Sequence, residues 1–438
     1  MNSIPKSCDV VIIGGGPAGS LAGTYLSQKG YDVVLLEKQK HPRPHVGENI
    51  IPHFWKYCDL ANVSDRIAKE GFIEKAGGTV AWKGKIRQMS FKDFGYTRPA
   101  YHAERDRFDF ILLSNARDVG VNVFERTTVQ TVSLSEKAGD SQAVQYRTAD
   151  KQSGSIRCKF VVDASGQASV IGRQLGTRSV DQDFRFLSMW GYFDDAKYIG
   201  ADSKIYGFEK LSEVAPSTFV SSIQETNDQG WCWHIPLRKH TSVGLIMPLE
   251  YIKNHRAQDE PLEEYFVKTC HKVPVLRDLL EPATYCEGSF AKIQDYSSRS
   301  SQLAGPGFFQ IGDSAGFIDP IFSVGVVLGM YSAYIAAWAI DRCIQNPEAT
   351  ERTQAIFTDQ MESRLEVSRS LALPQYSTNL DVSELAKKAV QFERSMEQEL
   401  MDVVSKMTTR SENYQNLVDT ETGGVITSER YRVLESIS

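Results

Sequence analysis

The feature that most constrains this chain is its opening. An apolar run, a glycine-rich turn, a helix and a second apolar run ending in an acid follow one another there. Residues 9 to 14, DVVIIG, read as a short strand, residues 17 to 29 as a helix, and Asp32 to Glu37 as a second strand. Two continuous apolar runs separated by a helix suggest parallel strands covered on both faces. Gly14, Gly16 and Gly19 form GxGxxG directly after the first strand. The first glycine permits the tight turn, the second lets backbone approach a pyrophosphate, and the third lets helix and strand close on each other. The helix N-terminus offers unpaired N–H groups and a favourable dipole to phosphate. Glu37 ends the second strand, where a carboxylate can accept the ribose hydroxyls of an adenosine half. A bound dinucleotide follows, with NAD and FAD both open at this point.

Two later segments, residues 157–166 (RCKFVVDASG) and 307–316 (GFFQIGDSAG), return to the same α/β pattern. Between them, roughly residues 185 to 290 hold β-like segments of different character: FLSMWGYF, TFVSSI, GWCWHIPLR and HTSVGLIMPL. They predict a second, mostly antiparallel sheet interleaved with the first domain. Residues 320 to 340 carry no charged side chain, and length alone would permit a membrane span. The opening proline, Gly325, Gly329 and the lack of basic anchors argue for a buried helix instead. From residue 344 onward charged helices are expected, one of them ending near Thr408.

Composition removes other classes. Among 438 residues, 49 Lys+Arg stand against 55 Asp+Glu, and 41% are hydrophobic. That balance is neither the basic profile of a nucleic-acid binder nor the apolar-poor profile of a disordered chain. Seven scattered cysteines include no Cys-x-x-Cys pair, so neither a zinc site nor a disulfide framework is expected. With no basic region and cleavage site at the N-terminus, the expected location is cytoplasmic.

The remaining motifs carry a family resemblance. Glu104 to Asp109 (ERDRFD) resembles the arginine block of the FAD-dependent group that contains aromatic hydroxylases, geranylgeranyl reductases and flavin-dependent halogenases. VVDASG, with Asp163 and Gly166, is similar to its mid-chain turn, and GDSAGFIDP, Gly312 to Pro320, to its second flavin signature. Trp231-Cys232-Trp233-His234-Ile235-Pro236 resembles the WxWxIP signature of the flavin-dependent halogenases. Strand alternation puts Trp231 and Trp233 on one face, with Cys232 and His234 on the other. Lys75, in GFIEKAGGTVAW, resembles the essential lysine of the phenol and pyrrole branch; Lys83 and Lys85 fall after the matching pattern.

The resemblance implies a Rossmann-like FAD-binding part (1–184, with the Lys75 segment inserted), an antiparallel substrate-side sheet (185–290), a second FAD-binding part with the halide site (291–345), and a helical cover (346–438). It implies FAD contacts at Gly14, Gly16, Ala18, Gly19, Glu37, Lys38, Gly47, Arg105, Asp313 and Gly325, halide contacts at Val324 and Gly325, and catalytic roles for Lys75, Trp231 and Trp233. FAD, used as FADH2, would act with O2 and chloride or bromide to make hypohalous acid and halogenate an electron-rich ring. That ring would be a phenol first and a pyrrole next, free or on a carrier protein. No second GxGxxG follows a strand, so a separate NAD(P)H-dependent flavin reductase is the implied partner. Phe322 stands where tryptophan halogenases carry a glutamate, which leaves the group that polarises substrate open; His45, His53 and His102 are possible bases. The alternative is an FAD-dependent aromatic monooxygenase or reductase on the same scaffold.

Overall fold

Strands buried on both faces need covering layers, and the first unit of the molecule supplies two. The protein is described here by a computed structural model covering residues 3–376 other than 83, 84, 95, 136 and 138, together with 432–433. The helical segment expected to end near Thr408, and Lys83, lie outside the described residues. Two compact units emerge: Met1–Gly71, Ala103–Gln182 and Tyr296–Leu365 form one, while Phe72–His102, Asp183–Asp295 and Glu366–Ser438 form the other. The segment carrying Lys75 thus groups with the antiparallel sheet.

In the first unit, parallel strands run in the order Phe308–Gln310, Phe160–Asp163, Val10–Ile13, Val33–Leu36, Asn122–Phe124, with Ala304–Gly305 added antiparallel at one edge. One layer is a three-stranded antiparallel sheet, Thr127–Ser133, Gln142–Thr148 and Ser153–Cys158. Its Val129, Val132, Val144 and Ile156 pack with Val11, Ile13, Val34 and Leu36 of the parallel sheet. Helix Pro17–Gln28 packs against helices Arg105–Asp118 and Gly325–Gln345. The uncharged run enters that last helix only at Gly325, because Ser323 adopts a left-handed turn (φ 57°) just before it. Among the described residues, no helix is long and apolar enough to cross a membrane.

The second unit is built on one large sheet. Its strands run Thr284–Tyr285, Phe186–Asp194, Thr241–Pro248, Gly230–Pro236, Ser217–Ile223, Gly77–Trp82, Lys85–Ser90. All neighbours are antiparallel except the parallel pair formed by Ser217–Ile223 and Gly77–Trp82. One face is apolar: Met189, Phe219, Cys232, Val243 and Leu245 pack with Phe266, Cys270, Leu276 and Leu280 from two short helices, Leu262–Cys270 and Pro274–Leu280. The opposite face carries Thr218, Trp231 and Trp233.

Candidate active site

The glycine turn shows why only glycine serves there. A Cβ on Gly14 (φ 108°) would lie 2.4 Å from the Ala164 carbonyl oxygen, and one on Gly19 would lie 2.0 Å from the Gly14 oxygen. At Gly16 the surroundings are open, with only Arg43 Nη2 at 3.8 Å from the same notional atom. This cradle precedes a helix with no acidic residue in its first turn, and so fits a pyrophosphate. Glu37 is buried; its Oε2 accepts the Gly15 N–H at 2.7 Å and its Oε1 the Gln39 N–H at 2.7 Å. Each oxygen retains a lone pair for a further donor. Lys38 is exposed next to it. Ala18 has a packing duty as well, since its Cβ sits 3.2 Å from where a Cβ on Gly312 would stand.

Arg105 is buried and strongly held. Its Nε and Nη2 donate to the two carboxylate oxygens of Asp109 at 2.8 and 3.1 Å, and its Nη1 donates to the Val46 carbonyl at 2.8 Å. The Arg105 group therefore anchors the loop at Gly47, whose own φ of 101° and closeness to Arg105 exclude a side chain. Asp313 Oδ2 accepts from Gln167 Nε2 at 3.2 Å, while Arg178 bridges the Asp313 carbonyl (3.1 Å) and Gln167 Oε1 (2.7 Å). Burial raises the Asp313 carboxyl above its usual range. Arg43 and Arg178 were not singled out from sequence.

At the N-terminus of helix Gly325–Gln345, left-handed Ser323 is followed by Val324 in a right-handed helical conformation. That alternation turns successive N–H groups toward one concavity, an anion-binding geometry. Asn49 Nδ2 donates to Ser323 Oγ at 2.7 Å and holds the turn. A Cβ on Gly325 would approach the Phe317 ring to 2.7 Å. Phe322 is 39% exposed.

On the polar face of the large sheet the two indoles stand together, ring centroids 6.0 Å apart, as alternation predicted. Trp231 Nε1 donates to Tyr376 Oη at 2.6 Å, and Trp233 Nε1 to Ser242 Oγ at 3.2 Å. Trp233 pairs across the sheet with Gly244, where a Cβ would come within 2.1 Å of the indole. The missing side chain is what gives the ring its place. Thr218 shares this face as the diagonal neighbour of Trp233, which opposes Val220.

Lys75 reaches Thr218 from the short ribbon Ile73–Lys75 and Ala100–His102. Its buried amine donates to Thr218 Oγ1 at 3.2 Å and lies 5.0 Å from the centre of the Phe91 ring. His102, buried on the same ribbon, places Nδ1 3.0 Å from the Pro236 carbonyl and Nε2 2.7 Å from Thr218 Oγ1. A carbonyl only accepts, so Nδ1 carries the proton, Nε2 accepts from the Thr218 hydroxyl, and the Thr218 oxygen accepts from Lys75. Burial lowers the Lys75 amine to about 7 and holds His102 well below its ordinary value. His102 is therefore neutral and engaged at both nitrogens. His45 is exposed, with Nδ1 2.8 Å from the Val46 carbonyl, and His53 is partly buried just before helix Phe54–Leu60.

A family model described as FAD binding domain matches residues 7–359, which defines the class: a flavoprotein whose cofactor is FAD. The tryptophan 2-halogenase of Chondromyces crocatus is 34% identical over 78% of this chain and 62% of its own length, so the match spans less than two thirds of that relative. The 1H-pyrrole-2-carbonyl peptidyl-carrier-protein chlorinase of Pseudomonas fluorescens is 32% identical, covering 77% of this chain and 76% of its own. The myxobacterial chondrochloren halogenase CndH, described as a variant of FAD-dependent halogenases, superposes with a TM-score of 0.75 at 25% identity, covering 97% of this chain and 99% of that one. The chain belongs to the flavin-dependent halogenases.

Proposed function

We propose that this chain is an FADH2-dependent halogenase that uses O2 and chloride or bromide to make hypohalous acid and halogenate an electron-rich aromatic ring. The observation that carries the reading is a buried amine, Lys75, held by Thr218 on the sheet face that also bears Trp231 and Trp233. Reduced FAD, when bound, supplies with O2 the oxidising equivalent for the halide. Gly14, Gly16, Ala18 and Gly19 bring the first helix to the pyrophosphate, Glu37 with Lys38 takes the adenosine ribose, and Gly47, Arg105, Asp313 and Gly325 complete the flavin contacts. The N–H groups of Val324 and Gly325 hold halide without a charged side chain. Trp231 and Trp233 exclude the aromatic substrate from the oxidising centre.

Lys75 then carries the halogen. As a neutral amine it attacks hypohalous acid, forming an N–halogen bond and releasing water. The ring carbon takes the halogen from nitrogen, and the ring proton returns to the amine. Burial favours this by bringing the amine to about 7, so that a substantial share of it is neutral at neutral pH. Phenolic acceptors come first and pyrroles next; the carrier-protein chlorinase among the relatives supports a tethered acceptor as well as a free one. A separate NAD(P)H-dependent reductase supplies reduced flavin, and the seven free thiols suit a cytoplasmic location.

The test is incubation with a flavin reductase, NADH, FAD, O2 and bromide or chloride, offering phenolic and pyrrolic acceptors. Products showing halogen isotope pairs by mass spectrometry are expected. Hydroxylated product formed independently of halide would replace this reading with that of a monooxygenase.

A further inference from the structure

A second cluster of chemically able side chains lies on the large sheet, built from three segments distant in sequence. Asp194 ends strand Phe186–Asp194, His240 sits in the turn before Thr241–Pro248, and Cys286 follows strand Thr284–Tyr285. Strand register brings them together: Asp194 pairs with Thr284, and Phe193 pairs with both Thr241 and Tyr285. The Cys286 N–H donates to the Tyr192 carbonyl at 2.9 Å, and the Leu237 N–H to the His240 carbonyl at 2.8 Å, which fixes both turns.

The donor atoms converge on one point. His240 Nδ1 is hydrogen-bonded to Asp194 Oδ1, Cys286 Sγ lies 3.8 Å from that same nitrogen, and all three atoms fall within 4.8 Å of one another. This convergence separates two chemistries. A Cys–His–Asp nucleophile uses opposite ring nitrogens, one to orient the imidazole and one to take the thiol proton. Here carboxylate and thiol address the same nitrogen, so that relay is absent. Four-coordinate zinc, with bonds of about 2.0 Å to N or O and about 2.3 Å to S, sets its donors roughly 3.3–3.6 Å apart. Small side-chain rotations bring this cluster to that spacing.

The geometry points to a zinc(II) site at Asp194, His240 and Cys286, with the fourth position open to water. Thiol, imidazole and carboxylate together suit zinc better than magnesium or calcium, which prefer oxygen alone. The Asp194 and His240 side chains are each 46% exposed, which leaves a path of entry. Metal there pins the turn that follows the Trp231–Trp233 strand to the strand Phe186–Asp194. Its effect is on stability, independent of the halogenation assay.

The test uses untagged, chelator-stripped full-length protein titrated with Co2+ and then Zn2+. One equivalent of Co2+ is expected to give a thiolate-to-cobalt charge-transfer band that Zn2+ abolishes, and Zn2+ is expected to raise the unfolding temperature. Cys286→Ser should lose the band, His240→Gln should weaken binding at least about tenfold, and His255→Gln should change neither. Circular dichroism confirms that each variant is folded. No band with the wild-type chain, or a band that survives in Cys286→Ser, overturns the proposal.

Discussion

Arg105 and Lys75 are both buried cationic side chains, one in each unit, and the protein treats them in opposite ways. Arg105 begins a helix and meets Asp109 one turn later through two parallel hydrogen bonds. The planar fork and the fixed helical spacing keep that charge compensated, so its burial holds the Gly47 loop in place. Lys75 meets the hydroxyl of Thr218 and the face of Phe91, and burial brings its amine to about 7. Equal burial thus yields a permanent cation in one place and, in the other, an amine poised to lose its proton. The difference lies in what faces the charge.

The largest expected effect comes from removing the poised amine. Lys75→Met should abolish ring halogenation, because it removes the nitrogen proposed to carry the halogen, while halide-independent oxidation of reduced flavin continues. Its unfolding midpoint in urea at pH 7 should stay at or above that of the wild type, because a buried ionisable group gives way to an apolar one. A loss of stability instead would erase the contrast with Arg105. Arg105→Met should cost about 3 kcal/mol in the same urea experiment, since it leaves buried Asp109 with the longer Arg43 contact at 3.3 Å in place of a bidentate partner, and it should weaken FAD retention on gel filtration.

A smaller effect is expected from pH. The folded amine titrates near 7 against an ordinary value of 10.5. In the proposed mechanism the halogen-accepting form is neutral, so the rate under saturating halide should fall about tenfold per unit below pH 7 and level off above it. Stability has its own sign. Below about 7 the lysine is protonated in both folded and unfolded states, and the burial penalty is felt in full. Between about 7 and 10.5 only the unfolded chain binds the proton, so raising pH through that window favours the fold. A flat rate profile from pH 6 to 8 would show that Lys75 does not titrate there.

The smallest effect should come from Thr218→Val, which keeps the shape and removes the hydroxyl linking Lys75 to His102. Losing one such hydrogen bond costs ~1–3 kcal/mol in a buried setting. The turnover number should fall several-fold and the midpoint of the pH profile should move down, with Thr218→Ser restoring both. A variant with altered stability and an unmoved midpoint would assign Thr218 to packing alone.

Much of this was legible because it is local. The glycine turn could be read directly at Gly19, which the nearby Gly14 oxygen demands, whereas the Ala164 oxygen that excludes a side chain at Gly14 arrives from just beyond a strand remote in sequence. The shared face of Trp231 and Trp233 follows from the two-residue period of a strand. What faces each indole was not legible. Gly244, Ser242 and Tyr376 come from an adjacent strand and a remote helix, and only the register brings them there. The same holds for Thr218 against Lys75, 143 positions apart, and for the Asp194–His240–Cys286 cluster, which cysteine spacing alone had argued against.

By itself, then, the sequence determined the order of strands and helices at the dinucleotide turn, the pairing of indoles on one strand face, and the family to which both belong. These rest on backbone sterics and on periodicity within a single element. The tertiary structure decided how far each buried ionisable group departs from its ordinary proton affinity. A proton affinity depends on how much water is excluded and on which dipoles and charges surround the group, and those neighbours arrive from strands far apart in the chain. Lys75 is one lysine among many until the sheet closes over it.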